Sequence, residues 1–289
     1  MLSYEKLNAG LFLPESPRWV RDELWVSDIL GRTVFRFDEL GRRESVVVFD
    51  GDQSGIDFDE AGNLYVVLMQ GCVLLRVAGG APTVVADLSG VATSLCNDLV
   101  VAPDGTAFVS QLGFDPWKGE APRQSCVIRV DTNGAATTIG PEMGGPNGLA
   151  LTPDQRQLFV AEPGGGNLWR FDLDERYDVV DANVFAHLDP AAGSQMPFGT
   201  PDGICLDSQG RLWVADPTGS RVVRVESDGS IEVMVEFPGL HPLAVAVTSG
   251  ANPSKLFVTV VANVDIYAPR VNPTGFVAVA TLPAEGGSG

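Results

Sequence analysis

Apolar and polar positions along the chain fall into short runs of Val, Leu, Ile, Phe and Trp stopped by Gly, Asp, Asn or Pro. No stretch sustains the 3.6-residue apolar period of a helix, so the pattern predicts strands from end to end. The runs recur as one unit: an apolar run, a turn of the form Pro/Asp-x-Gly, a second apolar run ending in a small or acidic residue, then a third. Copies read ESPRWVRDELWVSD from Glu15, SGIDFDEAGNLYVV from Ser54, NDLVVAPDGTAFVS from Asn97, NGLALTPDQRQLFVA from Asn147 and DGICLDSQGRLWVA from Asp202, with a degraded sixth, LAVAVTSGANPSKLFVT, from Leu243. The anchors lie 39, 43, 50, 55 and 41 residues apart, near the roughly 40 to 50 residues of a four-stranded propeller blade.

Third strands follow as TVFRFDELG, CVLLRVAGG, CVIRVDTNG, NLWRFDLDE and RVVRVESDG, each carrying an Arg, and more variable fourth strands as ESVVVFD, PTVVADL, ATTIG, VVDANVFAH and SIEVMVEF. The expected fold is all-β, a six-bladed β-propeller of four-stranded antiparallel blades. A ring of blades has exposed edges only where it closes. The N-terminal YEKLNAGL is therefore expected to add an outer strand to the last blade beside KLFVTVVA and GFVAVATL, making residues 1–284 a single domain with a frayed tail at 285–289.

In a propeller the first strand of each blade lines the central channel, so equivalent repeat positions converge. The first residue of that strand reads Glu15, Ser54, Asn97, Asn147, Asp202 and Leu243. Two carboxylates and two amide oxygens about one point make a hard-cation shell whose charge matches a divalent ion. Calcium fits best, with magnesium, manganese and zinc left open. The competing explanation is turn chemistry, since Asn and Asp before Gly tolerate left-handed backbone; it suits Asn147-Gly148 and Asp202-Gly203 but not Glu15 before Ser-Pro.

Composition narrows the partners. Gly and Pro together number 53 of 289, from 33 and 20, a surplus that many turns require. With 37 acidic and 19 basic residues the formal charge is −18, without a Lys/Arg cluster, which argues against nucleic acid. There is no basic n-region before an apolar h-region and no run long enough to span a membrane, so a cytoplasmic protein without membrane partners is expected. Cys72, Cys96, Cys126 and Cys205 lack CxxC spacing and are expected to be free thiols. No GxSxG, Walker or GxGxxG motif supports serine-hydrolase, nucleotide or dinucleotide chemistry.

Taken together and in order, ESPRW, CNDLVVAPDG, PNGLALTPD and PDGICLDSQGRLWVA resemble the SMP-30/gluconolactonase/luciferin-regenerating-enzyme family of six-bladed propellers over roughly residues 10 to 265. Paraoxonase-like and organophosphate-hydrolysing propellers are more distantly similar. The resemblance implies a divalent cation, usually calcium, at the positions matching Glu15, Asn147 and Asp202, with Asn97 touching metal or substrate. It also implies hydrolysis of lactones or related esters, with Asp202 as general base. Sugar-lactone members carry an Arg two residues before the third-blade Asn, where this chain has Leu95; a substrate less polar than a sugar lactone is therefore expected. A sugar-lactone hydrolase and a non-catalytic binding scaffold with a structural metal remain the alternatives.

Two insertions, 111–125 and 187–200, stretch the third and fourth spacings and carry Phe114, Trp117, Met196 and Phe198. They are expected either to pack on the blade tops or to form a lid over an apolar small-molecule lactone or ester. Asp28, Glu162 and Asp216 end second strands, where they could take a proton or satisfy loop amides. His241, before the inner strand of the last blade, is a candidate for substrate contact or proton transfer, and His187 is expected to be structural. Met69, Ser54 and Ser110 are candidate wall residues.

Overall fold

The computed structural model describes residues 1–38, 41–189, 199–248, 254–262 and 273–283. Six antiparallel sheets of four strands are arranged as a six-bladed propeller. Blade one comprises β2 (Pro14–Val20), β3 (Glu23–Asp28), β4 (Thr33–Phe37) and β5 (Arg43–Val48). Blade two comprises β6 (Gln53–Phe58), β7 (Leu64–Leu68), β8 (Val73–Ala78) and β9 (Ala81–Asp87), and blade three β10 (Cys96–Val101), β11 (Ala107–Gln111), β12 (Ser125–Val130) and β13 (Ala136–Met143). Blade four is built from β14 (Leu149–Leu151), β15 (Gln157–Glu162), β16 (Asn167–Leu173) and β17 (Val179–His187), and blade five from β18 (Ile204–Leu206), β19 (Leu212–Asp216), β20 (Arg221–Val225) and β21 (Ile231–Glu236).

Blade six closes the ring. It takes β22 (His241–Val247), β23 (Lys255–Val261) and β24 (Gly275–Thr281) from the C-terminal part and its outer strand, β1 (Glu5–Leu11), from the N-terminus. Glu5 pairs with Val279 and Leu11 with Gly275, so the two ends of the chain share one sheet, as the apolar runs predict. The tail expected at 285–289 lies outside the described residues, and none of the described helices is long and apolar enough to cross a membrane.

The period-2 alternation sends successive side chains of each sheet into the gaps on its two sides, as Trp213 and Ala215 face blade six while Val214 faces blade four. Among the described residues the buried apolar side chains form six clusters, each bridging two neighbouring blades, and a seventh over the axis. On one of these two faces an aromatic residue of the second strand pairs with the Arg of the third in five blades: Trp25 with Arg36, Tyr65 with Arg76, Phe108 with Arg129, Phe159 with Arg170 and Trp213 with Arg224. The guanidinium stands over the indole in the first and last of these pairs. The recurrent third-strand Arg thus covers the ring beside it and reaches acids such as Glu44, Asp131 and Glu232.

The inner strands depart from regular pairing where the site lies. Register shifts occur between Glu15 and Arg18, Gln53 and Ile56, Cys96 and Leu99, and Pro242 and Ala244. Such bulges re-aim a side chain away from the sheet face. In blades four and five Gly148 and Gly203 occupy the corresponding place, and the inner strands there begin only at Leu149 and Ile204.

Candidate axial site

One small cavity of about 30 Å³ lies at the axis, lined by Glu15, Asn97, Asn147 and Asp202 together with Leu13, Ile29, Met69, Trp117 and Leu243. The four oxygen-bearing side chains come from four blades, at the repeat position the sequence singles out. Asp202 is 3% exposed and Asn147 6%, while Glu15 is half-buried. The amides are oriented by a chain of hydrogen bonds: Ser54 Oγ donates to Asn97 Oδ1 at 3.1 Å, and Asn97 Nδ2 donates to Asn147 Oδ1 at 2.8 Å. The Asn147 side chain in turn lies beside the Asp202 carboxylate and favours its charged form. The Ser16 amide donates to Glu15 Oε2 at 2.9 Å.

Turn chemistry does not account for the Asn-Gly and Asp-Gly pairs. Gly148 and Gly203 are not among the positive-φ residues. Both are small because the inner strands crowd together: a Cβ on Gly148 would lie 2.5 Å from the Asp202 carbonyl oxygen, and one on Gly203 2.3 Å from Ala244 Cβ. The Asn and Asp before them are thus aimed at the axis by strand crowding.

Electrostatics mark the same spot. Burial pushes Glu15 up from 4.5 to about 8, with the Asp98 charge adding to the rise, while the Ser16 amide and Arg18 oppose it. Asp202 is raised well above the ordinary carboxylate range by burial first, then by the Glu15 and Asp98 charges. A half-buried carboxylate and a buried one that repel each other, flanked by amide oxygens, form a donor set suited to a hard dication, which would relieve that repulsion. Among the described residues no three His, Cys, Asp or Glu side chains cluster for a metal; the axial set holds two carboxylates, and its remaining donors are amides.

The other acidic candidates serve the loops. Asp28 accepts from the Phe12, Leu13 and Gly31 amides. Glu162 accepts from the Gly144 amide, Asn167 Nδ2 and Trp169 Nε1, and Asp216 from Thr200, Thr218, Gly219 and Arg221. None of the three lines the axial cavity. His241 starts β22 with Nδ1 at 3.0 Å from the Pro217 carbonyl, also outside the cavity lining. His187 ends β17 beside Asn167, and Ser110 is buried, its Oγ accepting from the Asp98 amide.

The first insertion is ordered around a 3₁₀ turn, Pro116–Lys118, whose Trp117 amide is capped by Asp115 at 3.0 Å. Trp117 reaches the cavity, whereas Phe114 lies beside it in an apolar cluster with Leu13, Ile29, Met69, Leu95 and Leu243. Phe114 also walls a neighbouring cavity of about 340 Å³ with Leu112, Arg123, Gln124, Gly144 and Gly199. Met196 and Phe198 lie outside the described residues. All four cysteines are free, and burial pushes the Cys205 thiol up to about 12.

Sequence reasoning missed Arg18, Asp57 and Asp98, which lie close to the ring and pair with one another. Their signal was present. Arg18 and Asp57 stand three residues after Glu15 and Ser54, where the other copies carry Val100, Ala150, Cys205 and Ala246.

The profile of the SMP-30/Gluconolactonase/LRE-like region matches residues 13–262. A pentonolactonase of Haloferax volcanii is 28% identical over 250 residues, 86% of this chain and 81% of that protein. A 6-deoxy-6-sulfogluconolactonase of Pseudomonas putida is 28% identical over 250 residues, covering 86% of this chain and 82% of its own length. Among solved structures, the calcium-binding protein regucalcin from Agrobacterium tumefaciens superposes with a TM-score of 0.75 at 23% identity over 97% of this chain and 93% of that chain, a likeness of fold.

Proposed function

Because the chain belongs to the SMP-30/gluconolactonase/LRE-like family, we propose that it is a hydrolase that opens lactones or carboxylic esters at the axial cavity, with a divalent cation held by Glu15, Asn97, Asn147 and Asp202. The observation that carries this reading is the convergence of those four side chains, two of them mutually repelling carboxylates, on one cavity. The lactonase activities named for the two relatives support the reaction class. Calcium is the preferred ion, with magnesium, manganese or zinc as substitutes; the oxygen-only donor set and the regucalcin fold relative support that choice.

When bound, such a cation supplies positive charge that polarises the lactone carbonyl. Asp202 is assigned as general base: it takes a proton from the water whose oxygen adds to the carbonyl carbon. It returns that proton to the ring oxygen as the C–O bond breaks, so that lactone and water give one hydroxy acid. Asn147, beside the Asp202 carboxylate, favours its charged form. Leu13, Ile29, Met69, Trp117 and Leu243 exclude bulk water around it.

The relatives are named for sugar-acid lactones; a less polar substrate is proposed here on the lining alone. Five apolar side chains surround the oxygen donors, and Leu95 is buried in the cluster above them. The axial cavity has room for the reacting carbonyl, and the 340 Å³ cavity walled by Phe114 is of a size to take the rest of a ligand. Phe114, on the wall of the larger cavity, is assigned to the substituent, and His241 to an outer substrate contact. The charge of −18 and four free thiols support a small-molecule reaction in the cytoplasm.

The test is a panel of aliphatic, aromatic and sugar lactones assayed before and after EDTA, with calcium restored. Turnover that survives chelation refutes the cation's role. Calcium binding without turnover of any lactone or ester refutes the hydrolase and leaves a binding scaffold.

A further inference from the structure

Arg18 lies on β2 three residues after Glu15, its side chain 15% exposed. It crosses to two other blades: Nη2 donates to the Leu99 carbonyl at 2.7 Å and to Asp98 Oδ1 at 3.3 Å, and Nε lies 3.5 Å from Asp57 Oδ1. Asp98 Oδ1 also accepts from Ser16 Oγ and from the Leu99 amide, both at 2.8 Å, and its Oδ2 accepts from the Leu149 amide at 3.3 Å. Asp57 Oδ2 accepts from the Val101 amide at 2.7 Å. Each anchor adjoins a ring donor. Ser16 follows Glu15, Asp98 follows Asn97, and Leu149 stands two residues after Asn147.

One arginine and two carboxylates therefore tie the inner strands of blades one to four. Buried charges of this kind add little stability, because desolvation offsets their attraction. Ala150, Cys205 and Ala246 occupy the corresponding places in blades four to six without charge. What the charged cluster adds is direction, since charge-assisted hydrogen bonds fix angles and separations that apolar packing leaves free. Ser16 shows the constraint: it holds φ at 44°, in the left-handed region a non-glycine residue seldom adopts, with its hydroxyl bonded to Asp98.

We propose that Arg18, acting through Asp98 and Asp57, is the positioning residue of the axial site, holding Glu15, Asn97 and Asn147 at the separation that binds a divalent cation. The inference rests on the cation reading of that site and concerns residues that neither line the cavity nor meet the substrate. Lysine would keep the charge but lacks the planar fork needed to bond Asp98, Asp57 and the Leu99 carbonyl together.

The experiment compares wild type, Arg18→Lys and the charge-free triple variant Arg18→Met/Asp57→Asn/Asp98→Asn, which leaves no lone buried charge if the lysine variant fails to fold. Calcium alone is titrated by calorimetry, and the side-chain amide NMR signals of Asn97 and Asn147 are followed in the calcium-free protein. Positioning predicts calcium affinity at least tenfold weaker in both variants and displaced Asn97 and Asn147 signals. Affinity within twofold of wild type with only a lower melting temperature would show a purely structural role and overturn the proposal. Wild-type behaviour in Arg18→Lys would show that charge alone matters, overturning it equally. Should wild type bind no calcium, the cation reading fails, and the Asn signals decide: unmoved in the variants, they refute positioning.

Discussion

Replacing Glu15 by Gln is expected to stabilise the calcium-free protein while removing its response to calcium. The Glu15 carboxyl is raised from 4.5 to about 8, first by burial. A carboxyl whose folded value exceeds its unfolded one favours the fold while protonated. Its contribution is complete below pH 4.5 and is lost as pH rises through about 8. At about 1.4 kcal/mol per pH unit the window corresponds to roughly 5 kcal/mol, which solvent screening of a half-buried group lowers to on the order of 2–4 kcal/mol. At about 2 °C per kcal/mol for a chain of this size, calcium-free wild type should melt roughly 4–8 °C lower at pH 8.5 than at pH 5 on this account. Glu15→Gln should lose most of that slope and melt above wild type at pH 8.5. Calcium at about a hundred times its dissociation constant adds about 2.7 kcal/mol to wild type, some 5 °C, and little to the variant. Differential scanning fluorimetry with and without EDTA at the two pH values reads all four quantities. A calcium-free Glu15→Gln protein less stable than wild type at pH 8.5, or an equal calcium increment in both, refutes the reasoning.

Asp202→Asn should lower kcat for lactones by about 10²- to 10⁴-fold, as loss of a general base does, which steady-state assays at saturating calcium measure. Gly203→Ala places a Cβ 2.3 Å from Ala244 Cβ, so it should destabilise by about 1–3 kcal/mol in urea unfolding. Gly51→Ala meets nothing within 4 Å and should be neutral or stabilising by up to about 1 kcal/mol. Trp117→Ala removes an apolar wall of the axial cavity; it should raise KM for apolar lactones several-fold with kcat little changed, the mark of lost uniform binding.

The propeller was legible because it is written six times. Each copy repeats the strand alternation and the turn, so a degraded unit such as the one from Leu243 is still placed by its neighbours, and the N-terminal strand is placed by the need to close the ring. The same redundancy exposed the axial set: Glu15, Asn97, Asn147 and Asp202 stand out against Ile, Val and Ala at positions just beyond them, and the fold brings equivalent positions together whatever residues fill them. Asp28, Glu162 and Asp216 were harder. Their place at the ends of second strands left proton transfer and the satisfying of loop amides both open, and the folded loops decide for the amides.

Arg18, Asp57 and Asp98 escaped for a physical reason. A repeat predicts that equivalent positions meet, whereas this cluster joins the position after Asn97 to those three beyond Glu15 and Ser54. The bulges at Glu15, Ser54 and Asn97 shift the register just where the prediction needs it, and a shift of one residue turns a side chain to the other face. The departures from regular pairing that aim the ring donors inward also bring the charged triad together. The irregularity and the chemistry are therefore one feature: a variant that restored regular pairing at Ser16 should disperse the oxygen donors and the buried charges together.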